Sequence, residues 1–102
     1  MKITEEAEKD IDNQQDFDRK KLSKEIKYRL TGDRDQQNIS YINKPEFGIE
    51  FHRLKIKGKG LDHRIYFDYR NSEIIVFAVR HRNQAYKDKD LQEVEQRLKG
   101  LE

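Results

Sequence analysis

Residues 49–82 read IEFHRLKIKGKGLDHRIYFDYRNSEIIVFAVRHR. Much of this stretch alternates with period two, which sends successive side chains to opposite faces of an extended strand. One strand runs from Ile49 to Lys57, with Leu54 and Ile56 on one face and Arg53, Lys55 and Lys57 on the other. Gly58-Lys59-Gly60 supplies a turn. A second strand, His63 to Tyr69, sets Ile65, Phe67 and Tyr69 against Arg64, Tyr66 and Asp68, and Arg70-Asn71-Ser72 turns the chain again. The third strand, Glu73 to Arg80, is apolar on both faces: Ile74, Val76 and Ala78 on one, Ile75, Phe77 and Val79 on the other. A strand of that kind lies inside a sheet covered on both sides.

Upstream, Lys2-Ile3 is a very short strand. Thr4 suits a helix N-cap, with Glu5, Glu6 and Glu8 at the favourable end of the helix dipole and Ala7 and Ile11 at helical spacing. A second helix is expected from about Asp18 to Leu30, with Leu22, Ile26 and Leu30 in one stripe and Gly32 at its C′ position. Residues 31–45, TGDRDQQNISYINKP, read as a long loop anchored by Ile39, Tyr41 and Ile42. After His81-Arg82 and Asn83-Gln84-Ala85-Tyr86 comes a short C-terminal helix. Its stripe is Leu91, Val94, Leu98 and Leu101, and Asp90 and Glu93 are placed as a capping box. The order is β-α-α-β-β-β-α. This is an α+β fold: a small antiparallel sheet, two N-terminal helices packed on it, and a short C-terminal helix.

The 102 residues suffice for a single domain, 1–102. Charged residues make up 41%, yet Ile, Leu, Val and Phe number 25, enough for a real core. The absence of cysteine excludes a disulfide scaffold, a thiol nucleophile and a cysteine zinc site. No apolar run reaches membrane length, so a soluble, cytoplasmic protein is expected. The net charge of +2 conceals an uneven distribution. Residues 1–50 carry −2, residues 51–87 carry +6, and residues 88–102 carry −2. Basic charge concentrated on an ordered element is the footprint of a polyanion site, or else a solvated strand face kept soluble by lysine. Charge alone does not choose between them.

The chemistry of the basic stretch narrows the choice. Lys55 and Lys57 share a strand face, hairpin pairing can bring Arg64 to that face, and the end of the third strand delivers His81, Arg82 and Tyr86. Arg53, Lys59 and Arg80 extend the surface as candidate RNA contacts. Such a set suits a phosphodiester, because arginine and lysine neutralise phosphate oxygens where charge develops. A tyrosine ring can stack on a base. RNA carries its own nucleophile, the 2′-OH, so cleavage needs a base, cations on the phosphate, and an acid for the leaving 5′-oxygen. A histidine or a lysine among cations can supply the proton transfers; a strand-end histidine held by hydrogen bonds is the structural alternative for His81. His52 and His63 read as structural or surface residues. Three histidines with no shared carboxylate or cysteine pattern make no metal site, and no cofactor is expected.

The ordered set Ile3–Asp10, the helical stretch 18–30, Lys55-Ile-Lys57, Asp62-His63-Arg64-Ile65-Tyr66, and Val76 through Tyr86 resembles the RelE/ParE superfamily of type II toxin–antitoxin toxins. The branch it is most similar to is that of RelE-like ribosome-dependent mRNA endonucleases. The resemblance implies that Lys55 and Lys57 contact mRNA and act in acid–base work, that Arg64 holds the scissile phosphate, and that Arg82 lies near the leaving group. It further implies that Tyr86 stacks on a base; His81 sits where members vary. The implied products are a 2′,3′-cyclic phosphate and a 5′-OH, without metal. The implied partners are mRNA in the ribosomal A site and a cognate antitoxin. The short first strand, the long 31–45 segment, Arg80 ahead of the His-Arg pair and the extended C-terminal helix depart from the usual pattern. Two other readings remain: a gyrase-poisoning ParE-type toxin, and a non-catalytic RNA- or antitoxin-binding module of the same fold.

Overall fold

The computed structural model describes residues 1–14, 16–31, 38–58 and 60–101. The order is β1 (Lys2–Ile3), α1 (Glu5–Asp12), α2 (Asp16–Thr31), β2 (Ile39–Lys44), β3 (Ile49–Gly58), β4 (Leu61–Arg70), β5 (Glu73–His81) and α3 (Asp88–Lys99). Short 3₁₀ turns lie at Pro45–Phe47 and Arg82–Gln84. The five strands form one sheet in the order β1-β5-β4-β3-β2, antiparallel except for the β1–β5 pair. The expected α+β fold is present, and the sheet has one strand more than the periodicity suggested.

That strand is β2, within the stretch read as a loop. Ile39 to Lys44 pair with Leu54 to Ile49 in continuous register. Its apolar alternation is weak, so its extended form is decided by the ladder that β3 offers. The chain then bends through Pro45–Phe47 to Gly48, whose φ of 66° is a left-handed conformation open to glycine at little steric cost. The β4–β5 turn holds Asn71 and Ser72 at φ 52° and 66°, the two-residue geometry that matches strand twist. Gly32 lies outside the described residues.

Helix α1 starts as its sequence dictates: the Thr4 Oγ1 accepts the Ala7 N–H at 3.1 Å. Ala7, Ile11, Leu22, Ile26 and Leu30 pack under the sheet against Leu54, Ile56, Ile65, Phe67, Val76 and Val79. Each fully buried Leu or Ile there contributes about 1.5–3 kcal/mol. On the opposite face Leu91, Val94 and Leu98 of α3 cover Phe51, Tyr66, Phe77 and Ala78. The core is thus two apolar layers with the sheet between them.

Two local expectations are corrected. Strict alternation in β5 fails because Tyr66 pairs with Ala78 while Phe67 pairs with Val76, so Phe77 is an extra residue at a bulge. Phe77 and Ala78 consequently both join the α3 layer. Asp90 and Glu93 do not form a capping box, since Lys87 is the N-cap of α3 and makes no side-chain cap. Both carboxylates instead grip Arg80: Nε donates to Asp90 Oδ1 at 2.7 Å and Nη2 to Glu93 Oε1 at 2.8 Å.

Because β1 has two residues, it pairs with β5 at Ile75 and Val76 alone. Beyond that point side chains take over the edge of β5. Asp10 Oδ2 accepts the Val79 N–H at 2.9 Å, and Arg97 Nη1 donates to the Phe77 carbonyl at 3.0 Å. Asp10 also accepts from Arg97 at 2.6 and 3.1 Å and lies 3.1 Å from Arg80. Replacing Asp10 with alanine leaves two largely buried guanidiniums short of a counter-charge. We expect a loss of about 3–5 kcal/mol in urea unfolding, whereas alanine at the exposed Asp12 stays within about 0.5 kcal/mol of wild type.

Candidate functional site

The pairing register defines a row of polar residues on the α3 side of the sheet. Arg53 pairs with Tyr66, Lys55 with Arg64, and Lys57 with Asp62; Arg64 pairs in turn with Arg80. Paired residues point to the same face, with Cβ atoms about 4.5–5.5 Å apart. The apolar residues of α3 cover the Phe51–Tyr66–Phe77 end of this face. Arg53, Lys55, Lys57 and Arg64 continue the same face beyond it, as the hairpin argument anticipated. Lys59 lies outside the described residues.

Three cations in direct cross-strand succession, Lys55–Arg64–Arg80, repel one another. Carboxylates compensate, and they sort the cations into two classes. Arg80 is enclosed by Asp10, Asp90 and Glu93 at 2.7–3.1 Å. Burial alone would lower its pKa, but the Asp90 hydrogen bond and the Asp10 charge raise it well above the ordinary arginine value. Arg80, expected among the RNA contacts, is thus tied by three carboxylates that belong to α1 and α3.

Arg64 and Arg82 share a different carboxylate. Arg64, 7% exposed, donates from Nη1 to Asp62 Oδ1 at 3.0 Å and to the His63 carbonyl at 3.1 Å. Arg82, in the 3₁₀ turn after β5 and with a side chain 63% exposed, places Nη1 3.7 Å from Asp62 Oδ2. Desolvation acts to raise the Asp62 pKa, but the Arg64 hydrogen bond and the charges of Arg64, Arg82 and Lys57 bring it below the usual carboxylate value. Sequence reasoning found no carboxylate in this set. Its signal was the i, i+2 spacing of Asp62 and Arg64, which puts both on one strand face.

His81 departs from its expected place. It pairs with His63, which shares its face with Ile65 and Val79 on the α1/α2 side, opposite Lys55 and Arg64. Its Nδ1 accepts the Asn83 N–H at 3.3 Å, and its ring meets His63 edge-on at 5.3 Å. Tyr86 does reach the α3 side. It adopts φ 67°, donates its N–H to Asp90 Oδ2 at 2.9 Å, and stacks on Tyr66 at 5.9 Å. It lines a shallow cavity of about 370 Å³ with Ile42, Lys44 and Arg53. Arg53 is steadied by donating from Nη2 to Ser40 Oγ at 2.7 Å. Among the described residues no cluster of three His, Asp or Glu could hold a metal ion, and no helix is long and apolar enough to cross a membrane.

The family model for the ParE toxin of type II toxin–antitoxin systems matches residues 1–86. The chain belongs to the ParE toxin family. The match runs from β1 to Tyr86, so it contains the whole basic face and ends before α3. This ParE-family protein is therefore a toxin of a type II toxin–antitoxin system, and its partner is a cognate antitoxin. No curated protein matches it.

His63 beside the site is 1% exposed; its Nδ1 accepts the Asp62 N–H at 3.3 Å and its Nε2 lies 3.1 Å from Gln14 Oε1. Burial, then the neighbouring His81, lower its pKa below the ordinary 6.5, outweighing the pull of Asp18 and Asp62. The unfolded chain thus binds a proton before the folded one does. The stability contributed by neutral His63 is present above about pH 6.5 and declines as pH falls through the lowered folded-state value. Urea unfolding of wild type and His63→Gln between about pH 7.5 and 5.5 should show the steeper acid loss in wild type.

Proposed function

We propose that this toxin is a ribosome-dependent mRNA endonuclease that cleaves by attack of the RNA 2′-OH, and so arrests translation. The observation that carries the reading is the register that puts Lys55, Lys57 and the largely buried Arg64 on one face, with the exposed Arg82 at the same carboxylate as Arg64. The groups there are mainly cationic, and lysine and arginine cations suit phosphate oxygens and do not ligate a metal. In this mechanism one lysine, as free amine, takes the 2′-OH proton, and the 2′-oxygen attacks phosphorus. The bond to the 5′-oxygen breaks, and an ammonium group returns a proton to that oxygen. The products are a 2′,3′-cyclic phosphate and a 5′-OH. Arg64 holds the phosphate, Arg82 stabilises charge near the leaving oxygen, and Tyr86 offers a ring to a base. His81, on the other face, serves the structure of the strand end. Arg53 extends the binding surface along β3.

A second reading is favoured by the family match itself: a non-enzymatic toxin of the ParE type directed at gyrase. The fold serves both, since function lives in the site and not in the fold. The two separate experimentally. Purified toxin added to programmed ribosomes should cut mRNA and leave cyclic-phosphate ends. Arg82→Ala should lower the cleavage rate by roughly 10²–10³-fold and abolish growth arrest, with folding retained. Intact mRNA together with gyrase-linked DNA breaks in intoxicated cells overturns the endonuclease reading.

The same reading fixes a salt dependence. Four phosphate-facing cations, Lys55, Lys57, Arg64 and Arg82, give a slope of about −3 in log K against log salt for a single strand. Titration of a labelled RNA at several salt concentrations measures it, and Lys57→Ala should reduce the slope by about 0.7.

A further inference from the structure

Asp62 stands in the middle of a site otherwise made of cations. It pairs across the hairpin with Lys57, and each of its carboxylate oxygens faces a different arginine. The two contacts are unequal. Arg64 is enclosed and tied twice, to Oδ1 at 3.0 Å and to the His63 carbonyl at 3.1 Å. Arg82 is mostly exposed, and its Nη1 stops 3.7 Å from Oδ2, beyond hydrogen-bond reach. A carboxylate presents two oxygens to guanidinium groups much as a phosphodiester presents its two non-bridging oxygens.

We infer that Asp62 is the positioning residue of the toxin's phosphodiester site: it locks Arg64 in its working orientation and holds Arg82 loosely, to be surrendered to the scissile phosphate. The inference rests on the endonuclease reading and deepens it. Without Asp62, Arg64 keeps its carbonyl contact but loses its charged partner, and Lys55, directly opposite, repels it. Arg82 loses the attraction that gathers it over the same point. The carboxylate also repels incoming phosphate, so its removal strengthens ground-state RNA binding while it weakens alignment for reaction. A residue that served folding alone would lower binding and cleavage together.

The test uses the whole protein with two measurements. One is single-turnover cleavage of mRNA on programmed ribosomes at saturating toxin. The other is binding of an oligonucleotide made uncleavable by 2′-deoxyribose at the attacked position. Asp62→Asn should slow cleavage by roughly 10–100-fold, the scale of a misplaced reacting group, with binding unchanged or tighter. Asp62→Glu, which keeps the charge at a longer reach, should recover part of the rate. Cleavage by the Asn variant within about twofold of wild type, or cleavage and binding lost together, overturns the inference while the endonuclease reading stands. Wild type that binds the oligonucleotide but never cleaves mRNA overturns the endonuclease reading and the inference with it. Should the Asn variant not fold, the Glu variant decides: a rate within about twofold of wild type overturns the inference, and a slower rate with unaltered binding upholds it.

Discussion

The Asp10 carboxylate is the contact on which the rest of this architecture depends. A two-residue β1 cannot complete the edge of β5, and an open edge in a sheet covered on both faces would leave backbone groups without partners. Asp10, from the layer below the sheet, accepts the Val79 N–H, and Arg97, from the layer above, donates to the Phe77 carbonyl. Their mutual ion pair closes the circuit across the edge. Side chains from α1 and α3 thus do what a longer first strand would have done, and the two helices are joined through the strand they flank. Charges this enclosed are tolerable because each is met by several partners; one left alone would cost several kcal/mol.

The same network decides what the basic face exposes. Asp90 accepts from the Tyr66 hydroxyl, the Arg80 guanidinium and the Tyr86 N–H, so one carboxylate sets the start of α3, removes Arg80 from the open surface and fixes the backbone of Tyr86. The Tyr66 hydroxyl is correspondingly hard to ionise, through burial first and the Asp90 charge second. Arg64, one strand away from Arg80 in the same row, meets Asp62 instead and stays beside the open lysines. Two neighbouring arginines of one row, both largely buried, are thus held by different carboxylates, Arg80 by Asp10, Asp90 and Glu93 and Arg64 by Asp62 beside the lysines.

Much of this was legible in the residues. The period-two meander, both apolar faces of β5, the Thr4 cap and the α2 stripe all follow from local geometry that a strand or helix imposes on its own sequence. The grouping of Lys55, Lys57 and Arg64 followed from alternation plus one hairpin turn. Strand β2 escaped because Ile39–Lys44 carries little periodicity of its own and is extended by its partner β3. The bulge at Phe77 escaped because an extra residue in one strand shows itself only against the register of the next. His81 was misplaced for a related reason: its face is fixed by pairing with His63, and residue type alone pointed it toward the lysines.

By itself the sequence determined α1, α2, α3, the three-strand meander and the faces of its regularly alternating residues, since these depend on neighbours a few positions away; β2, the Phe77 bulge and the face of His81 waited on pairing with other strands. Tertiary structure alone decided which cations remain available and which are enclosed. That outcome depends on carboxylates brought from far along the chain, as when Asp10 meets Val79 and Arg97 across separations of 69 and 87 residues. An arginine's charge is the same in either setting. Its setting depends on which counter-charge folding delivers: for Arg64 that is a carboxylate two residues away, which the strand spacing encodes, and for Arg80 and Arg97 it includes Asp10 from the other end of the chain, which no local pattern encodes.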